Sequence, residues 1–170
     1  MKQQLELVLA ALMPDNRRVC QVMLNTGLRI SDVLEIRSEQ LARCFWITEK
    51  KTGKRRQVGL PDWLIADIKR SSRGSPWAFP GAHDRSKHRT RQAVWKDLKR
   101  VQRAFRFEVN VGTHSMRKDY AVDLMEKYGD IERVRRALNH SDATVTVLYA
   151  LADHLTRSAA ARRIPHARKR

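Results

Sequence analysis

Cys44-Phe45-Trp46-Ile47-Thr48-Glu49 and Arg55-Arg56-Gln57-Val58-Gly59-Leu60 flank the short stretch Lys51-Thr52-Gly53-Lys54. Together the two runs are rich in β-branched and aromatic residues, which suit a pleated strand, and Gly53 can supply the positive-φ position of a tight turn. The pattern predicts an antiparallel hairpin. On either side of it the apolar residues follow a helical period instead. Leu5, Val8, Leu9 and Leu12 predict a helix over Gln3–Met13 that ends at Pro14. Asp15 is expected to cap a second helix with Val19, Val22 and Met23 on its apolar face, closing at Thr26–Gly27, where glycine readily turns left-handed. Ser31 is expected to cap a short third helix, Asp32–Ser38.

Beyond the hairpin, Pro61-Asp62 opens a helix over Asp62–Lys69. Ser71–Arg89 reads as a loop rich in Ser, Gly, Pro and basic residues, pinned to the core by Trp77-Ala78-Phe79. Thr90 is placed to cap a helix running to about Phe105, and His114–Tyr128, Ile131–Leu138 and Ala143–Leu148 read as further helices. The tail from His154 is basic and rich in alanine. The expected fold class is mainly α with a small antiparallel β-sheet (α+β), built as a single domain over 1–170 with 151–170 a basic tail.

Composition narrows the function. The 170 residues are 42% hydrophobic, enough for a real core, so the chain is no disordered basic tail. Lys and Arg number 35 against 18 Asp and Glu, a formal charge of +17. Such an excess points to a polyanionic partner, with nucleic acid ahead of an anionic membrane surface. No apolar run approaches the ~18 residues of a membrane span, and Met1–Pro14 lacks the layout of a secretory signal. Cys20 and Cys44 have no metal-like spacing and are expected to be buried free thiols, consistent with a cytoplasmic location.

Four segments carry polar residues that a plain helical domain does not need. Thr26-Gly27-Leu28-Arg29-Ile30-Ser31-Asp32 sets Arg29 in a tight turn between apolar helices, and the hairpin tip carries Lys51. In Thr113-His114-Ser115-Met116-Arg117 a spacing of three puts His114 and Arg117 on one face at a helix start. Asn139-His140 is followed nine positions later by Tyr149. Taken singly, each has an ordinary reading: a solvated charge, a soluble turn, a hydrogen-bonded histidine, a half-buried tyrosine.

Taken in order, Arg29, Lys51, His114 with Arg117, His140 and Tyr149 resemble the active site of the tyrosine recombinase (phage integrase) family. Asp32, three positions after Arg29, matches an acidic supporting position of that family. The strings Thr-Gly-Leu-Arg-Ile-Ser-Asp, Lys-Thr-Gly-Lys and His-Ser-Asp-Ala-Thr-Val-Thr-Val-Leu-Tyr are family-like, and the likeness spans nearly the whole chain. Asn139 replaces the usual glycine and Met116 the usual leucine. Asn tolerates a left-handed backbone and Met fills a leucine-sized space.

The resemblance implies a site-specific DNA recombinase acting through a 3′-phosphotyrosine, with Tyr149 as nucleophile and Lys51 as proton donor to the 5′ oxygen. His114 would shuttle a proton or be oriented by Asp32. Arg29 and Arg117 are the planar, permanently charged forks that a phosphodiester gaining negative charge requires. No cofactor and no metal is expected, since Asp32 and Glu35 are joined by no second acidic cluster able to hold divalent ions. The expected partner is double-stranded DNA, bound by a protein that is a monomer in solution and a tetramer on paired sites. The family's N-terminal DNA-binding domain is not expected within this chain, which is then a naturally short recombinase or an excised domain. A type IB topoisomerase, using a similar constellation, and a non-catalytic basic DNA-binding regulator are the competing readings. The C-terminal segment Ala150–Arg163 is expected to pack on a neighbouring protomer or on its own domain.

Overall fold

The computed structural model describes residues 2–107 and 111–138. Its elements are α1 (Lys2–Ala11), α2 (Pro14–Thr26), α3 (Ile30–Leu34), a 3-10 turn at Ser38–Gln40, β1 (Cys44–Thr48), β2 (Arg55–Gly59), α4 (Asp62–Ser72), α5 (Arg91–Ala104), α6 (Thr113–Tyr128) and α7 (Ile131–Leu138). The expected helix Ala143–Leu148 and the basic tail lie outside the described residues. The chain divides after Tyr120 into two compact units.

In the first unit the helices pack around one core. Val8 of α1, Val19 and Val22 of α2, Val33 of α3, Leu64 and Ile68 of α4, and Val94 and Val101 of α5 are all completely buried. Each such side chain removed from water contributes roughly 1.5–3 kcal/mol before entropy is counted. Met116 of α6 is completely buried in the same core, so it fills the space expected of it.

The hairpin is as expected. β1 pairs antiparallel with β2 in the register Phe45 to Val58 and Ile47 to Arg56. Phe45, Ile47 and Val58 face the core while Trp46 and Thr48 face outward. Gly53, at φ +66°, makes the turn. Alternation also places Cys44 on the outer face, so this cysteine is exposed and not buried as its apolar neighbours suggested. Cys20 is buried, and desolvation, followed by the charge of Asp97, pushes its thiol up to about 12, which keeps it inert.

Two helix starts differ from expectation. Pro14 takes the first position of α2, where its missing N–H is no loss, so Asp15 lies inside the first turn and Met13 precedes the helix. The Asp15 carboxylate instead accepts from Arg18 at 2.9 Å and from Ser71 at 3.1 Å. α3 begins at Ile30 and not after Ser31, because the Arg29 carbonyl already accepts the Asp32 and Val33 amides at 2.9 and 3.0 Å. It also ends at Leu34, short of the expected Ser38. α1 also stops at Ala11, short of the expected Met13, and α4 runs on to Ser72, past the expected Lys69; several other ends follow the reading. Gly27 ends α2 at φ 63°, with its amide on the Met23 carbonyl. The Thr90 hydroxyl caps α5 by accepting the Ala93 amide at 3.1 Å. The Ser71–Arg89 loop is pinned by Ala78 and Phe79, both 2% exposed, and by the Ala78 amide on the Ile36 carbonyl at 2.9 Å.

The second unit, in its described part, holds the end of α6 and all of α7. Gly129 turns left-handed to end α6, and the Asp130 carboxylate caps α7 through the Glu132 and Arg133 amides. Val134 and Leu138, one turn apart, are the buried residues of α7. The Arg133 guanidinium lies 3.6 Å from the centre of the Tyr128 ring.

Candidate active site

The Thr26–Asp32 turn is the centre of the described site. Because Gly27 reverses the chain, the Thr26 and Gly27 carbonyls point away from α2 and need donors. Two arginines from distant elements provide them. Arg56 of β2 donates to the Thr26 carbonyl at 2.9 Å, and Arg117 of α6 donates to the Gly27 carbonyl. Arg29, two residues after Gly27, donates to the Glu49 carboxylate at 2.5 Å. Glu49 is completely buried, and its other oxygen lies 3.1 Å from Arg56 Nε. Arg29 and Arg117 are therefore brought to the same turn from opposite ends of the first unit's sequence.

The electrostatics are those of crowded cations. Arg117 is held below the ordinary arginine range, at about 10, first by burial and then by the positive charge of Arg29. Glu49 offsets part of this, and Arg56 and Asp32 follow with smaller effects of opposite sign. Arg117 remains a cation at neutral pH. Arg56 is likewise lowered by burial, against the attraction of Glu49. Three guanidiniums gathered around one turn are the kind of group that can receive an anion.

Asp32 and Lys51 meet this turn through the hairpin. Asp32 is 4% exposed, and one carboxylate oxygen accepts the Lys50 amide at 3.0 Å. Its other oxygen has no hydrogen-bond partner among the described residues. The Lys50 ammonium pairs with Glu35, so the base of the hairpin turn is tied twice to α3 and its flank. Lys51, the next residue, is exposed and makes no hydrogen bond or ion pair among the described residues. Such a side chain is free to reach a ligand laid across the turn.

His114 and Arg117 part company although they share a helix. Arg117, one turn into α6, is buried at the Gly27 turn. His114, in the first turn, is exposed and lines an open pocket of about 290 Å³ with Ile30, Arg91, Gln92, Trp95 and Thr113. Ile30 adjoins Arg29, so the pocket lies beside the arginine turn. His140 and Tyr149 lie outside the described residues.

Two residues of this cluster, Glu49 and Arg56, were not singled out from the sequence. Their signal was the alternation of the strands: Phe45, Ile47 and then Glu49 continue one inward face. A carboxylate on that face demands a buried cation. Among the described residues no group of His, Cys, Asp and Glu is placed to hold a metal ion. No helix among them is long and apolar enough to cross a membrane.

Comparison with known proteins gives this arrangement a family. The model of the phage integrase family matches residues 2–155. The chain is 30% identical over 142 residues to the "Probable integrase/recombinase YoeC" of Bacillus subtilis (strain 168), covering 81% of this chain and 77% of that protein. It is also 30% identical over 146 residues to tyrosine recombinase XerD of Lacticaseibacillus casei, covering 79% of this chain and 49% of that one. Among solved structures the XerA recombinase superposes with a TM-score of 0.76 at 15% identity, covering 98% of this chain and 64% of its own. The XerH recombinase bound to palindromic difH substrate follows at 0.71 and 22% identity, covering 94% of this chain and 51% of its own. The chain thus spans about half the length of the XerD and XerH proteins it matches. Nearly all of it is matched by one family model, and its fold is that of the solved recombinases: this chain belongs to the phage integrase family.

Proposed function

We propose that the chain is the catalytic part of a site-specific recombinase that cleaves and rejoins double-stranded DNA through a 3′-phosphotyrosine. The observation that carries this reading is the convergence of Arg29 and Arg117 on the Gly27 turn, beside Arg56 and the buried Glu49. The solved XerH complex with its difH substrate and the λ integrase dimer on a core site support duplex DNA as the partner.

In this reading the two guanidinium forks hold the non-bridging oxygens of the scissile phosphate, where charge grows during displacement. Tyr149, whose ordinary pKa is ~10, gives up its proton and attacks phosphorus. The bond to the 5′ oxygen breaks, and Lys51 on the hairpin supplies the proton that this strongly basic leaving group requires. His140 adds a donor, and His114 stands beside the phosphate to move a proton or be oriented by Asp32. The 5′ hydroxyl of a second strand then attacks the phosphotyrosine and releases Tyr149, so rejoining needs no external energy. The protein works as a monomer in solution that assembles as four protomers on paired sites.

Covalent trapping on nicked duplexes carrying candidate sites tests this. Wild type is expected to form an adduct through a 3′ phosphate, unaffected by EDTA, and Tyr149→Phe to bind DNA and form none. Tyr120, close enough to Arg56 to act on its charge, is the internal rival, and peptide mapping of the adduct separates the two. An adduct from the Tyr149→Phe protein, or strict dependence on added magnesium, would overturn the proposal.

A further inference from the structure

Glu49 is the one charged side chain among the described residues that is completely buried. It occupies an inward position of the hairpin where Phe45 and Ile47 set an apolar pattern. A buried carboxylate is costly unless paired, so its partners have to account for it. Oε2 holds Arg29 at 2.5 Å and lies 3.3 Å from the Thr52 hydroxyl, while Oε1 lies 3.1 Å from Arg56 Nε. Arg56 in turn donates to the Thr26 carbonyl, and Arg117 to the Gly27 carbonyl. Thr26, Gly27 and Arg29 are each gripped, and Glu49 joins two of the three grips.

The backbone of the same residue builds the turn that carries Lys51. The Glu49 carbonyl accepts the Thr52 and Gly53 amides at 3.3 and 2.8 Å, and its amide donates to the Lys54 carbonyl at 3.0 Å. One residue therefore fixes Arg29 through its side chain and the Lys51 turn through its backbone. A plain structural ion pair needs neither coincidence.

We infer that Glu49 is a positioning residue: it aims the Arg29 guanidinium and keeps the Lys51 turn in register with it, acting through Arg29 and not on DNA. This rests on the function proposed above. Removing its negative charge then leaves DNA affinity intact or raised, since the partner is a polyanion. The rate falls because the arginine is no longer aimed.

The test is a double-mutant cycle on the full chain. Single-turnover adduct formation on a nicked duplex is measured for wild type, Glu49→Gln, Arg29→Ala and the double variant, alongside equilibrium DNA binding and thermal unfolding. Glu49→Gln is expected to bind DNA at least as tightly as wild type and to react slower on the order of 100-fold, the scale of a misaimed reacting group. In the Arg29→Ala background it is expected to cause no further slowing, whereas a purely structural role predicts the full loss again. Glu39→Gln, the same charge change at an exposed position, is expected to leave the rate unchanged. If Glu49→Gln does not fold, Glu49→Asp, which keeps the charge on a shorter arm, is read in the same cycle. A wild-type rate for the Glu49 variant, or additive losses with Arg29→Ala, would overturn the inference. Absence of any adduct from wild type would bring down the recombinase reading and this inference with it, an outcome visible before any variant is compared.

Discussion

Two of the clusters of partly or wholly buried charge in the first unit are built on different terms. In the first, Asp15 and Asp67 face Arg18 and Arg89: Arg18 bridges both carboxylates, and Arg89 closes onto Asp15 at 2.5 Å and onto Asn16 at 3.3 Å. Among the inner groups two negative charges meet two positive ones, the third cation, Arg70 on Asp67, being largely in water, and α2, α4 and the end of the Ser71–Arg89 loop are tied together. In the second, three guanidiniums, Arg29, Arg56 and Arg117, share the field of Glu49 and Asp32. Nothing in the balanced cluster calls for a ligand. In the unbalanced cluster Arg29 and Arg56 act with burial to lower Arg117, and Glu49 and Asp32 act against them. On the function proposed above, that difference separates a structural network from a site.

The comparison is broken most severely at Arg117. Arg117→Lys keeps the charge but loses the planar fork and its reach to the Gly27 carbonyl. Single-turnover adduct formation is expected to fall on the order of 100-fold or more, with circular dichroism unchanged. The corresponding change in the balanced cluster, Arg18→Lys, is expected to leave the rate within experimental error of wild type. Equal losses at the two positions would mean that the clusters do not differ in kind.

A smaller effect of the other sort is expected at Arg89. Arg89→Ala leaves Asn16 and Asp15 without their shared partner near the core. Asp15 is partly solvated and keeps Arg18, so the expected loss of stability is about 2 kcal/mol, read by urea unfolding. Adduct formation at a temperature where the variant is folded is expected to stay at the wild-type rate. A large rate loss there would show that the balanced cluster reaches the chemistry.

The sequence was legible where one local rule decided the outcome. The hairpin followed from β-rich runs around Gly53, the end of α2 from Gly27, and the start of α5 from Thr90. It misled where two local rules competed. Pro14 and Asp15 both signal a helix start, and proline's fixed φ took the first position. Cys44 sits among apolar neighbours, but the strand period and not its neighbours decides which way it faces. Of the site, Arg29, Asp32 and Arg117 declared themselves through motifs, and the fold brings them to one turn. Glu49 and Arg56 did not, because their meaning lies in partners 20 and 30 positions away, Arg29 and Thr26. Pairings of that range become visible only once the strand register is known.

The mildest way to sharpen the contrast is acid. Asp67 is held below the ordinary carboxylate range, chiefly by its hydrogen bond to Arg18, with Arg70 adding to the effect. A carboxyl whose folded pKa is depressed contributes stability that is present above its unfolded value, ~3.9, and is lost as the pH falls through the lower folded value. The balanced cluster is thus expected to weaken below about pH 4. Asp67 keeps some contact with water, so screening holds the contribution below about 1 kcal/mol. Urea unfolding of wild type and Asp67→Asn between pH 3 and pH 7 measures it: the two stabilities are expected to differ at neutral pH and to converge as the wild-type carboxyl becomes protonated. A gap that stays constant to pH 3 would show that Asp67 contributes through packing and not through its charge.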